Sequence, residues 1–336
     1  MRTRTLLSLL AVLAATALAA GCGGQSKASG ASGSKKLTLV AYSTPKEAYA
    51  ELIPAFQKTA AGKGIAFDQS YGASGDQERA VEGGLPADVV ALSLAPDVNK
   101  LVKAGLVDAN WDKAKYGGFV TNSVVTLAVR KGNPRHIHTW SDLVKPGVQV
   151  ITPNPFTSGG AKWNVMAAYG AQLQQGKSPA QALDYLKKLL KNVPVLDKSA
   201  REALQTFSSG KGDVLISYEN EAITAQQKGE KLDYVTPSDT LLIQNPDAVV
   251  KKSNNLKAAN AFLTYLRSDP AQKIFAAKGY RSVNPKLVDA KKYPKPKGLF
   301  TIDKLGGWSA VNDKFFDPNT GEIAKVFQSE GKSTGG

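Results

Sequence analysis

With 336 residues the chain is long enough for two domains of ordinary size, and 42% hydrophobic against 21% charged residues is a globular composition that excludes wholesale disorder. One Cys and two His exclude a disulfide framework, a Cys-based zinc or iron–sulfur centre and a multi-His catalytic metal site, so no metal and no cofactor is expected. The 43 Lys and Arg outnumber the 28 Asp and Glu, leaving +15, mostly as Lys dispersed along the chain, which suits a solvated surface near anions better than a nucleic-acid stripe.

Residues 1–21 have the three parts of a secretion signal: Arg2 and Arg4, the mildly apolar run Leu6–Ala20, and small residues before a cleavage point. The run is too short and too rich in alanine and serine for a spanning helix. Leu18-Ala19-Ala20-Gly21-Cys22 resembles a bacterial lipobox, so Cys22 is the expected lipid attachment point, and two acyl chains hold a protein stably where one does not. Cleavage there takes the net charge from +15 to about +13. Residues 22–36 lack any large apolar residue and read as a flexible tether with a reach of about 20 Å. The expected location is the outer face of a bacterial cytoplasmic membrane, where nucleic acid is not a partner.

Beyond the tether, short apolar runs alternate with amphipathic stretches, the pattern of an α/β fold. Strands are expected at Leu37–Tyr42, Ile65–Gln69, Asp88–Leu92, Ser123–Val129, Val148–Thr152, Val193–Leu196, Val214–Tyr218, Leu232–Val235 and Ala248–Val250. Helices are expected at Lys46–Ala61, from Asp76, at Asp97–Ala104, Ala161–Gln174 and Pro179–Lys191, from Ala200, at Asn255–Arg267 and Pro270–Lys278, and near the C-terminus.

Four loops share one device: each follows an expected strand and opens a helix. Thr44-Pro45-Lys46-Glu47, Ser74-Gly75-Asp76-Gln77 and Ser199-Ala200-Arg201-Glu202 have the form of capping boxes. The fourth, residues 153–161, contains Ser158-Gly159-Gly160, whose small side chains bare the backbone. A helix N-terminus presents unsatisfied N–H groups and a partial positive charge, and loops after strand ends converge on the ligand crevice of an α/β sheet. Together the four make an oxyanion site the candidate.

In these loops, and over nearly all of Leu37–Phe327, the sequence resembles the prokaryotic sulfate-binding proteins, the ligand-capturing subunits of sulfate ABC importers. The resemblance is carried by Gln69-Ser70-Tyr71-Gly72-Ala73-Ser74-Gly75, by Ala87-Asp88-Val89-Val90-Ala91-Leu92, by Val129-Arg130-Lys131-Gly132-Asn133-Pro134 and by residues 152–164. Gly212-Asp213-Val214-Leu215-Ile216-Ser217-Tyr218-Glu219-Asn220-Glu221 and Gly306-Gly307-Trp308 extend it. It implies a two-lobe periplasmic-binding-protein fold of type II with the ligand in the inter-lobe cleft, one lobe from 37–121 and 239–336, the other from 122–238. It also implies a monomer partnered by the permease and ATPase subunits of the importer. Sulfate would be held by backbone N–H groups at Ser43, Ser74, Gly159, Gly160 and Ala200, by the Ser158 hydroxyl and by the side chain of Tyr218. Arg201 and Lys162, in first turns beside the caps, are expected to steer or support.

The chain departs from the family at Tyr218, where Trp is usual, at Ser43, where Asp is usual, and at Phe156 and Lys162, where Lys and Arg are usual. A phenol donates like an indole but also accepts. Selectivity against phosphate, and between sulfate and thiosulfate, therefore stays open. A hydrolase of sulfate or phosphate esters is the other reading. It lacks support, because Gly72-Ala73-Ser74-Gly75-Asp76 misses the nucleophile elbow and no base or metal set accompanies it, so no catalytic residue is assigned.

Overall fold

The computed structural model describes residues 35–334; the expected signal segment, Cys22 and the tether up to residue 34 lie outside them. The first strand, β1 (Lys35–Tyr42), starts two residues inside the expected tether, with Lys35 and Lys36 paired to Ile65 and Ala66 of β2 (Ile65–Gly72). β1 lies between β2 and β3 (Val89–Ala91), parallel to both. Around this layer pack α1 (Lys46–Gln57), α2 (Ser74–Glu82), α3 (Ala95–Lys103), α8 (Leu256–Leu266) and α9 (Asp269–Ala277). The apolar faces of α1 and α8 meet in an aromatic cluster: the Phe262 ring lies 5.1 Å from Phe56 and 4.9 Å from Phe67. Pairs of this kind add about 0.5–1.5 kcal/mol each beyond area burial. α1 stops four residues short of the expected Ala61, where the Thr59 hydroxyl takes the Phe56 carbonyl.

Two long strands carry the chain between the halves of the sheet. β4 (Phe119–Arg130) and β8 (Asp239–Val249) pair antiparallel from Phe119↔Pro246 to Val124↔Leu242. β8 then pairs with β3, and β4 with β6 (Val214–Tyr218) and β7 (Leu232–Val235). The sequence signals only the last residues of β8, because Asp239, Gln244, Asn245 and Asp247 interrupt its apolar pattern. Pro246, which has no N–H to donate, sits where the β4 register shifts.

The second half holds β5 (Val150–Ile151), β6 and β7, with α4 (Gly159–Gln174), α5 (Pro179–Lys191), α6 (Ala200–Ser208) and α7 (Glu219–Gln227). α4 is buried on nearly every side. The strand expected at Val193–Leu196 does not form. Pro194 removes a donor, and the backbone hydrogen bonds to β5 and the loop beyond it flank the segment, Val150 N–H to Asn192 O and Asn154 N–H to Asp197 O. The C-terminal segment, with β9 (Gly298–Phe300), α10 (Gly307–Val311) and α11 (Glu322–Ser329), packs on this half. Phe300, Phe315, Ile323 and Phe327 join the cluster built by α4 and α5. A Cβ at Gly170 in α4 falls 2.3 Å from the Phe300 ring. Gly170→Ala is expected to cost about 1–3 kcal/mol of unfolding free energy, read by denaturant titration, because the docked segment has to move.

At the junction, Asn122 of β4 and Arg281 exchange backbone hydrogen bonds of 3.0 and 2.8 Å. The Arg281 guanidinium forks onto Glu219 at 2.7 and 3.0 Å, with both side chains buried. Among the described residues no helix is long and apolar enough to cross a membrane.

Candidate functional site

Three of the loops singled out by sequence follow the C-terminal ends of β1, β2 and β5; the fourth, at Ser199, follows the strandless segment 193–197 and opens α6. Two of the four expected caps form and two do not. Ser199 forms its box: its hydroxyl accepts from Glu202 N–H at 3.2 Å, and Glu202 accepts from Ser199 N–H at 3.0 Å. Ser158 caps α4 through Ala161 N–H. Thr44 does not cap α1; Pro45 holds that position, and the buried Thr44 hydroxyl turns inward beside the Tyr42 and Tyr280 phenols. Nor does Ser74 cap. It is the first residue of α2, and its hydroxyl donates to Asp97 Oδ2 at 2.6 Å while accepting from Ser93 N–H at 2.9 Å.

Ser93 is the residue the sequence did not mark, and the site is organised around it. Its Oγ lies 2.7 Å from the Tyr218 hydroxyl, and its carbonyl accepts from Trp163 Nε1 at 2.9 Å and Asn245 Nδ2 at 2.7 Å. It thereby ties α2, α4, β6 and β8 together. Gly159 presses against the same residue: a Cβ there falls 2.6 Å from Leu94 Cδ2 and 2.8 Å from Ser93 Cβ. The Gly160 position lies 3.4 Å from Ala200 Cβ and 3.6 Å from the Tyr218 ring, measured from an added Cβ. Gly75 N–H donates to Thr157 O at 3.1 Å, joining the start of α2 to the Gly-rich loop. Ser74, Ser158, Gly159, Gly160, Ala200 and Tyr218 are thus drawn together. Ser74, Gly159, Gly160 and Ala200 each stand in the first turn of a helix, where an N–H has no acceptor within the helix. Ser43 follows the end of β1 and is half-buried.

Arg201 lies across the rim. Its guanidinium grips Glu47 of α1 with two bonds of 2.6 and 2.7 Å and reaches Glu221 of α7 at 3.0 Å; Lys228 also pairs with Glu47. Burial works against the Glu47 carboxylate, but Arg201 and Lys228 overcome it and hold the group at about 2. Burial pushes Glu221 up despite the opposing pull of Arg201. Lys162 is not part of this cluster. Its Nζ donates to Asn312 at 2.9 Å and sits over the Phe316 ring, and burial lowers its proton affinity. Burial above all keeps the Tyr218 hydroxyl protonated.

Two α/β layers joined by crossing strands, with helix N-termini gathered between them, define a class of protein. The family of bacterial extracellular solute-binding proteins matches residues 37–281, and the chain belongs to it. Within it the chain is similar to the sulfate-binding protein of Synechococcus elongatus, 46% identical over 84% of this chain and 83% of that one. It is also similar to the thiosulfate-binding protein of Pseudomonas aeruginosa, 37% identical over 84% and 90%. Among solved structures, the sulfate-binding protein SubI from Mycobacterium tuberculosis is 45% identical with a TM-score of 0.82, covering 84% of this chain and all of that one.

Proposed function

We propose that the chain captures sulfate outside the cytoplasmic membrane and delivers it to the permease and ATPase subunits of an ABC importer, without chemical turnover. The observation that carries this reading is the meeting of Ser74, Ser158, Gly159, Gly160, Ala200 and Tyr218 at one place, four of them at helix N-termini. Oriented N–H dipoles from several helices offset the lost hydration of a dianion without a rigid ion pair against it. Ser43 would add its N–H from the end of β1, and Arg201 would support the site from the rim. Lys162, turned toward Asn312, would act only as part of the surrounding field.

Lobe one would comprise 37–121 with the chain from 239 through α9, and lobe two 122–238. The packing of Phe300 and Phe327 supports placing the C-terminal segment with lobe two, in place of the lobe-one assignment expected for all of 239–336. Ligand bridging the lobes shifts the open–closed balance by its differential affinity. Cys22 would carry the lipid anchor, and the mature protein would act as a monomer.

Thiosulfate is the second reading, favoured by the similarity to a thiosulfate-binding protein. Calorimetry on the purified mature chain with sulfate, thiosulfate, molybdate and phosphate tests both. Stoichiometric sulfate binding with no turnover of an aryl sulfate is expected; failure to bind any of the four would sink the proposal.

A further inference from the structure

Tyr218 brings a phenol into a set made otherwise of N–H groups and one serine hydroxyl, and a phenol oxygen accepts hydrogen bonds as readily as it donates one. Its surroundings decide which it does. The phenol is buried, and Ser93 Oγ lies 2.7 Å from its oxygen, a contact in which either hydroxyl can supply the hydrogen. Once the phenol gives its own hydrogen to an anion, only the serine hydrogen is left for that contact. Ser93 then donates to Tyr218.

Asn245, buried in β8, reinforces that direction. Its amide is held at both ends: Oδ1 accepts from the Thr121 hydroxyl at 3.1 Å, and Nδ2 donates to the Ser93 carbonyl at 2.7 Å. The amide therefore turns its NH2 group, and not its oxygen, towards Ser93, and the same side chain hydrogen-bonds the Tyr218 hydroxyl. An NH2 group has two hydrogens and can serve the carbonyl and the phenol together. Burial above all raises the proton affinity of the phenol, while the bonds from Ser93 and Asn245 pull the other way, as hydrogen bonds given to an oxygen do.

We propose that Ser93 and Asn245 are positioning residues that fill the acceptor side of the Tyr218 oxygen and make the phenol a donor only, so that it meets an oxyanion as an indole N–H would. The proposal rests on the sulfate reading above and concerns how the chain keeps sulfate apart from hydrogen phosphate. Hydrogen phosphate carries a hydroxyl that needs an acceptor. Tyr218 takes that role only by turning its own hydrogen back to Ser93, whose hydrogen then loses its acceptor in a buried place. Sulfate asks for no such reversal. The contacts of Ser93 with Ser74, Trp163 and Asn245 are all made by its main chain, so Ser93→Ala removes the bond to Tyr218 and leaves the junction standing.

The test is calorimetry of the mature chain with sodium sulfate and with sodium phosphate at neutral pH, for Ser93→Ala in the parent and in a Tyr218→Trp background. The parent is expected to bind sulfate, and phosphate far more weakly or not at all. Ser93→Ala should narrow the gap between the two anions roughly tenfold, chiefly by raising phosphate affinity, because the phenol oxygen becomes free to accept. In the Tyr218→Trp background the same substitution should leave the ratio unchanged, since an indole N–H has no acceptor to free. Ser93→Cys, a weaker donor of similar size, should act in the same direction and stands in if the alanine variant fails to fold; Tyr218→Phe stands in for the larger ring. A ratio unchanged by Ser93→Ala, an equal narrowing in the Tyr218→Trp background, or a parent that binds phosphate as tightly as sulfate overturns the proposal and leaves the sulfate reading standing. A parent that binds neither anion overturns both.

Discussion

Gly159→Ala is expected to weaken anion capture by roughly a hundredfold, about 2.8 kcal/mol, while the protein stays folded. The added methyl would meet Ser93 Cβ at 2.8 Å and Leu94 Cδ2 at 2.6 Å. Leu94 can rotate away, but Ser93 is fixed by hydrogen bonds to Ser74, Tyr218, Trp163 and Asn245. The loop therefore has to withdraw, taking the Gly159 and Gly160 N–H groups out of line and separating elements that capture needs together. Alanine suits the first turn of a helix better than glycine, so global stability should change little. Calorimetry paired with a thermal melt reads both effects. A variant with parental affinity would show that the Gly-rich loop does not hold the ligand.

Glu47→Gln is expected to speed ligand release by roughly tenfold at neutral pH, because it removes the carboxylate gripped by Arg201 and Lys228 across the rim. The pH dependence follows from the same contact. Glu47 titrates at about 2 when gripped, against 4.5 for the free side chain, so protons favour the separated state. The contribution is complete above the free-carboxylate value and fades as pH falls toward 2. Stopped-flow release rates between pH 7 and pH 3 should rise for the parent and stay flatter for the variant. Equal pH profiles would mean that the grip is present but does not restrain opening.

What could be read from sequence was local. The β–α alternation is written in periodicity, the Ser199 box in four consecutive residues, and the bared backbone of Ser158-Gly159-Gly160 in its composition. What could not be read was carried by distant partners. Ser93 becomes the organiser of the site only because Ser74, Trp163, Tyr218 and Asn245 reach it from four elements. Thr44 looks like a cap beside Pro45 and Glu47, yet the tertiary contact of Arg201 with its carbonyl and the neighbouring phenols draws it inward. β8 was hidden because a strand crossing between two halves has polar residues where it passes the site. Glu219 and Glu221, one residue apart near an expected strand end, read from sequence as a hinge or a helix start. Their arginine partners, buried Arg281 and half-buried Arg201, lie 62 and 20 residues away in the chain.

The pairing of β4 with β8 has a mechanical consequence. Two separate linkers would let the halves slide, twist or part independently. Two strands laced by a common ladder behave as one ribbon, which bends and twists easily about its length but resists shear. Opening should therefore follow a single rotational path, returning the loops to the same register on each cycle. A receptor that must present one closed shape to its membrane partner gains from that restriction, because its two faces come back into the same alignment every time the ligand is caught.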